Sequence, residues 1–251
     1  MKVKLIVLFI ITGFLSFGQR VVTKDIISTP YVGIHYGANL VGQDYKERFG
    51  YTNHLGGIAG WKTDMNWLFA LDGSFFFGSE VNEPYMLDNL MDVQQTVTNT
   101  SGRPAEILLM QRGFNVNGNF GFIFPNSGHN PNSGIMFMLG AGYMWHKIRI
   151  ETQEDQVPQI EGDYLQGYDR LTTGLNTSQF IGYNFMANRG IFNFYTGFYF
   201  IQGHTYNRRP IFWDRPEFEV PTDRRLDIQY GIRFGWLIPA YKREIKDFYF
   251  N

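Results

Sequence analysis

The sequence predicts an all-β fold, a closed antiparallel eight-stranded transmembrane β-barrel, on three observations. Eight runs alternate apolar and polar residues with the period of two that a strand with unlike faces requires. The connections between those runs alternate short and long. Charged residues are scarce while aromatics are plentiful, each 18% of 251 residues, with 28 Gly, a balance that suits a wall facing lipid better than a solvated surface. The mean hydropathy of -0.23 argues against a helical membrane protein, and only a closed barrel satisfies the backbone of strands in lipid.

Taken in order, residues 1–18 read as a signal peptide. Lys2 and Lys4 precede an apolar run from Leu5 to Phe17, and the small residues Ser16 and Gly18 precede a cleavage point at Gln19. Residues 19–30 form a periplasmic segment, 31–238 the barrel and 239–251 a periplasmic tail. Strands are expected at 31–41, 53–63, 67–78, 111–124, 135–149, 172–187, 191–205 and 225–238, each long enough for a tilted span of about 9 to 11 residues. The eighth run sets the pattern. Leu226, Ile228, Tyr230, Ile232, Phe234, Trp236 and Ile238 share the lipid face, opposite Asp227, Gln229, Gly231, Arg233 and Gly235. In the fourth run Phe114, Val116, Phe120, Phe122 and Phe124 alternate against Asn115, Asn117, Asn119 and Gly121, which predicts a polar lumen. The connections 64–66, 125–134 and 188–190 are rich in turn residues and read as periplasmic. The stretches 42–52, 79–110, 150–171 and 206–224 read as extracellular loops, and the even strand count puts both termini in the periplasm. Trp61, Trp67, Tyr143, Trp145 and Trp236 fall where interfacial girdles are expected, whereas Tyr195 reads inward.

A soluble barrel shares this period, but its polar face would carry many Lys and Glu in place of Gly and Asn. With 22 basic and 23 acidic residues, and 20 against 23 without Lys2 and Lys4, the net charge of -3 offers nothing to nucleic acid. The absence of Cys excludes disulfides, thiolate metal sites, a Cys nucleophile and a lipidated N-terminus. No cofactor is implied and no metal site is expected. There is no His-x-x-x-His, and the acids of the third loop (Glu151, Glu154, Asp155, Glu161, Asp163, Asp169) lack calcium-loop spacing. The chain is read as non-enzymatic. His35 lies in the lumen, His54 and His204 near the loop ends, His129 in a turn and His146 high on the fifth strand. No Ser–His pair is expected at matching height, and no G-x-S-x-G is present.

Two constellations are expected to matter. Asp72 and Arg233 each lie five residues from the turn end of their strands, both inward, and should form an ion pair across the lumen, since an unpaired buried charge is costly. In the loops, Met86, Leu87, Leu90 and Met91 fall on one stripe of a short surface helix packed on the rim. Met86, Leu90 and Met91, with Trp213 and Phe218, are expected to supply the apolar centre of a partner-binding surface, and Arg208 and Arg209 its rim. Acidic loop three and Arg-rich loop four should lock together beneath it.

The segment Gln229-Tyr230-Gly231-Ile232-Arg233-Phe234-Gly235-Trp236 resembles the β-signal read by the barrel-assembly machinery during insertion, through Gln229, Gly231, Phe234 and Trp236. The tail PAYKREIKDFYFN departs from that pattern, in which an aromatic residue ends the chain. The whole mature chain resembles small barrels of the OmpA and OmpX type. The leader ending SFGQ and the segments NPNSGIMFMLGAGYMWHKIRIE and GYDRLTTGL resemble a Bacteroidota family of outer-membrane barrels. These resemblances imply architecture and an outer-membrane location. Function is expected from the loops: an accessory subunit docked to a larger outer-membrane protein in assembly or secretion, with a free-standing structural or adhesion barrel, or a lipid-modifying enzyme, as the alternatives.

Overall fold

The computed structural model describes residues 25–153, 156–188 and 192–240, and only the backbone of Asn126. The expected leader, residues 19–24, the tail beyond Ala240, Glu154 and Asp155, Arg189 and Gly190 of the last turn, and Ile191 at the start of the expected seventh strand lie outside the described residues. Eight strands form the wall: β1 (Thr29–Gln43), β2 (Thr52–Lys62), β3 (Trp67–Gly78), β4 (Leu108–Phe124), β5 (Gly134–Glu151), β6 (Thr172–Phe185), β7 (Asn193–Asn207) and β8 (Arg225–Pro239). Each pairs antiparallel with its sequence neighbours, and β8 closes on β1. Following paired residues from Tyr31 through Gly60, Ala70, Asn119, Gly140, Ser178, Ile201 and Gln229 returns to Val41, ten residues further along β1. That stagger tilts the strands and fixes which inward residues meet across the lumen.

The alternation is realised on the outer wall, where Ile34, Leu55, Leu71, Phe120, Leu139, Leu175, Phe198 and Ile232 are all exposed. Inside, the expected polar lumen is found in the middle of the barrel, but the interior is layered. At the turn end it is apolar, filled by Tyr31, Ile58, Leu68, Ile123, Met136, Met138, Phe180 and Tyr195 around a cavity of about 30 Å³. The polar residues of this end are held by the turn below, with Asn184 Nδ2 donating to the Asn132 carbonyl at 3.1 Å, and the apolar side chains fill the space above them. Below them the Lys62 ammonium donates to the Ile27 carbonyl (3.0 Å) and to Asn132 Oδ1 (2.8 Å), while Asn130 Nδ2 reaches the Met186 carbonyl (2.6 Å). The β4–β5 connection thus folds inward as a floor.

At the other end the loops build a second core. The connection 42–52, expected as a modest loop, contains a five-residue helix, α1 (Asp44–Arg48). Tyr45 and Phe49 leave it fully buried, their rings edge-on to His146 at 4.7 and 5.6 Å. Around them pack Met86, Leu87, Val97, Ile148, Ile150, Val157, Ile160 and Tyr168. The expected surface helix over the Met86–Met91 stripe is only a single 3-10 turn, Asp88–Leu90.

Candidate functional site

In the middle of the lumen the stagger brings β1, β3 and β8 side chains together. Arg233 Nη1 donates to Asp72 Oδ2 at 3.0 Å, and its guanidinium stacks 3.5 Å from the Tyr199 ring centroid. His35 completes the cluster, with Nδ1 3.5 Å from Asp72 Oδ2 and Nε2 2.9 Å from Ser74 Oγ. The expectation that no Ser–His pair falls at matching height is therefore overturned. Ser74 and His35 sit on strands separated by β2, and only the accumulated register sets them level. The three residues do not make a hydrolytic site, because all are buried and Arg233 holds the carboxylate. A carboxylate engaged by guanidinium is poorly placed to stabilise an imidazolium, and no substrate reaches an enclosed hydroxyl. Nearer the loops His146 Nε2 lies 2.8 Å from Asp227 Oδ2, which also accepts the Thr205 hydroxyl. Among the described residues no group of three or more His, Asp or Glu is placed to hold a metal.

The loop cap is tied by its own buried charges. Arg48, on α1, donates to Thr172 Oγ1 (2.7 Å) and Asn207 Oδ1 (2.8 Å), and its Nε lies 3.5 Å from Glu83. Burial pulls this guanidinium down to about 10, with nearby Arg225 acting in the same direction and Glu83 opposing. Arg170 is fully buried at a left-handed φ of 51°; it reaches Asp214 at 2.7 Å and Glu83 at 3.6 Å and lies 4.0 Å from the Phe212 ring centroid. Arg209 chelates Asp169 with Nε to Oδ1 at 2.8 Å and Nη2 to Oδ2 at 2.6 Å, and those bonds raise its affinity for the proton. Loops from all four hairpins at this end are thereby joined to one another and to the rim. The residues that sequence reasoning missed are Tyr45, Arg48 and Phe49, whose i, i+3, i+4 spacing is the signal that marks a helix face.

The expected partner surface is partly dismantled by this packing. Met86 is 1% exposed and belongs to the cap core, because a flexible apolar side chain under a loop finds more contact inward than outward. Leu90 is half-buried, Met91 exposed. Arg209 is consumed by Asp169, and Arg208 lies against the wall, donating to Thr173 Oγ1 at 2.6 Å. Phe218 is exposed at 66%. Trp213 stands beside Gly167, where a Cβ would come within 2.5 Å of the indole, and contacts Tyr164 edge-on at 5.2 Å. With Leu90, Pro158, Gln159 and Tyr168 these two rings line an open groove. Asn89 Nδ2 pins its floor, donating to Tyr168 Oη and the Trp213 carbonyl, both at 2.9 Å. The expected assembly-signal residues lie on the closing strand. Gln229 is buried against His54 Nε2, Gly231 points inward, and Phe234 and Trp236 face out.

No known family model and no curated protein matches the chain. Solved structures that resemble it include Ail, the attachment invasion locus protein of Yersinia pestis, at 11% identity over 84% of this chain and 98% of that one, with a TM-score of 0.42. The outer membrane protein OprG of Pseudomonas aeruginosa is similar at 12% identity over 86% and 98% of the two chains (TM-score 0.37), and the N-terminal barrel of OprF from the same organism at 10% over 84% and 100% (TM-score 0.35). The eight-stranded barrel stands on the chain's own closed pairing.

Proposed function

We propose that this protein is a non-enzymatic outer-membrane barrel whose loop cap is a preformed docking surface for a larger membrane protein, with loops extracellular and both termini periplasmic. An outer wall of large exposed apolar residues on every strand supports the membrane location, since a soluble protein rarely leaves such a belt in water. The resemblance to Bacteroidota barrels fits the same envelope. The observation that carries the function is the cap's own core and ion network. Four loops are ordered at considerable conformational cost, yet they leave Tyr164, Phe218 and the Trp213 groove facing outward. A rigid platform with exposed aromatic anchors is the anatomy of a protein interface.

The test is co-purification from gently solubilised, crosslinked membranes. The Tyr164→Ala/Phe218→Ala protein is expected to stay folded, with its gel mobility still changed by boiling, and to lose a partner that the native protein retains. Identical partners for both proteins, or a native protein that purifies alone, would favour a free-standing barrel.

A further inference from the structure

The outward positions of the wall are almost free of cations. On β1, β2, β3, β6, β7 and β8 no outward residue is Lys or Arg; the three that exist, Arg112, Lys147 and Arg149, lie on the adjoining strands β4 and β5, all at the loop end. The register makes them one patch. Arg112 pairs directly with Lys147, and Arg149 pairs with Met110, two residues from Arg112 on the same face. Immediately toward the turn end the same face carries Phe114, Tyr143 and Trp145, so the patch sits where the apolar belt stops. Arg112 marks the boundary, its guanidinium 6.0 Å from the Phe75 ring centroid.

Counter-charge is short. Arg149 has Glu151 at 3.4 Å. Lys147 has Asp169 at 3.7 Å, a carboxylate already chelated by Arg209. Arg112 donates to the Gln111 carbonyl at 2.7 Å and the Met110 sulfur at 3.3 Å, neither of them an anion, so Glu151, which also faces Arg149, is the carboxylate that acts on it. One level across, the Arg208 backbone N–H bonds the Leu171 carbonyl at 2.9 Å, and its guanidinium lies over Tyr206, extending the positive rim toward β7.

We propose that Arg112, Lys147 and Arg149 form a binding site for the phosphate groups of a phosphorylated lipid in the loop-side leaflet. The site rests on the membrane location inferred above and lies on the wall beside the cap, which it meets where Lys147 approaches Asp169. Guanidinium and ammonium groups held at headgroup height beside aromatic rings are suited to a phosphate whose acyl chains run down the wall. Their restriction to two neighbouring strands makes this a site on one side of the barrel, where an even belt of interfacial cations would make none.

The test uses the full chain, delipidated in neutral detergent and incubated with a bisphosphorylated glycolipid, its dephosphorylated form or inorganic phosphate, with retained lipid read by native mass spectrometry. The native protein is expected to retain the phosphorylated lipid and not the dephosphorylated one. The Arg112→Gln/Lys147→Gln/Arg149→Gln protein should retain at least about tenfold less, since each cation near a headgroup contributes separately. Lys147→Gln and Arg149→Gln alone, which touch no buried group of the lumen, should show intermediate losses if the triple variant does not fold. Equal retention of both lipids, equal retention by native and variant proteins, or displacement of the lipid by inorganic phosphate at equal concentration would overturn the site. Insertion into neutral phosphatidylcholine vesicles, scored by gel mobility, separates the two readings. A native protein that inserts but does not prefer the phosphorylated lipid refutes the lipid site alone, and one that never inserts refutes the membrane location as well.

Discussion

The lumen and the cap each bury an arginine against carboxylates, and the two arrangements differ in what holds them. In the lumen Asp72 and Arg233 stand on β3 and β8, strands locked on both sides by continuous ladders, and the pair meets at 3.0 Å because the wall places it. In the cap Arg170 lies between β5 and β6, Glu83 between β3 and β4, and Asp214 between β7 and β8, all on segments without ladders. There the charges place the chain. A closed wall cannot yield to relieve a broken pair, whereas a loop can swing its orphaned charge into water. The same chemistry therefore contributes stability to the barrel in one region and order to the loops in the other.

The largest expected effect is in the lumen. Arg233→Met should destabilise the barrel by about 3–5 kcal/mol, because it leaves the Asp72 carboxylate buried without its guanidinium partner. Urea unfolding in vesicles, followed by gel mobility, measures this, and the double variant Asp72→Asn/Arg233→Met should recover much of the loss. A neutral single variant would break the comparison at its stronger end. Next in size, Arg170→Met should move that unfolding transition by no more than about 1 kcal/mol. It should nonetheless raise hydrogen exchange in 79–107 and 208–224, the segments it ties. If the transition shifts as far as for Arg233→Met, cap and barrel unfold together and the contrast fails.

A smaller effect is expected at the rim. Asp169→Asn removes the chelate to Arg209 and should loosen 208–224 with a stability change of roughly 0.5–1 kcal/mol, as partly exposed ion pairs give. A double-mutant cycle with Arg209→Gln isolates that coupling. Smallest in stability but readable by spectroscopy is Gly167→Ala, whose methyl would push the Trp213 indole from its seat. A shift in tryptophan emission with unfolding unchanged within about 0.5 kcal/mol is expected. An unchanged spectrum would mean that the groove around Trp213 is not the rigid feature the docking surface needs.

Much of the barrel is legible in the sequence because one periodicity carries it. The alternation of Leu226 to Ile238 against Asp227 to Gly235 marks β8 and its faces without any knowledge of neighbours. Short turns and long loops then give the strand count and antiparallel order. Where both faces are apolar, as in Ile135-Met136-Phe137-Met138, the alternation carries no contrast, so the apolar layer at the turn end is invisible. The loops are harder still. Met86 reads equally well as an exposed anchor and as a buried one, since no period records which way a loop residue turns.

The sequence by itself determined which residues face in and which face out, because strand geometry reverses the side chain at every residue whatever the neighbours are. It therefore placed Asp72, His35 and Arg233 inside the wall. Only the tertiary structure decided which of these meet. His35 and Ser74 both pair with Gly56 of the intervening strand, so His35 reaches Ser74 and Asp72 through two successive registers that no single strand contains. The cap was decided there too. Arg170, Glu83 and Asp214 are separated by long stretches of chain, and their association depends on a buried core that exists only once four loops have folded over one mouth.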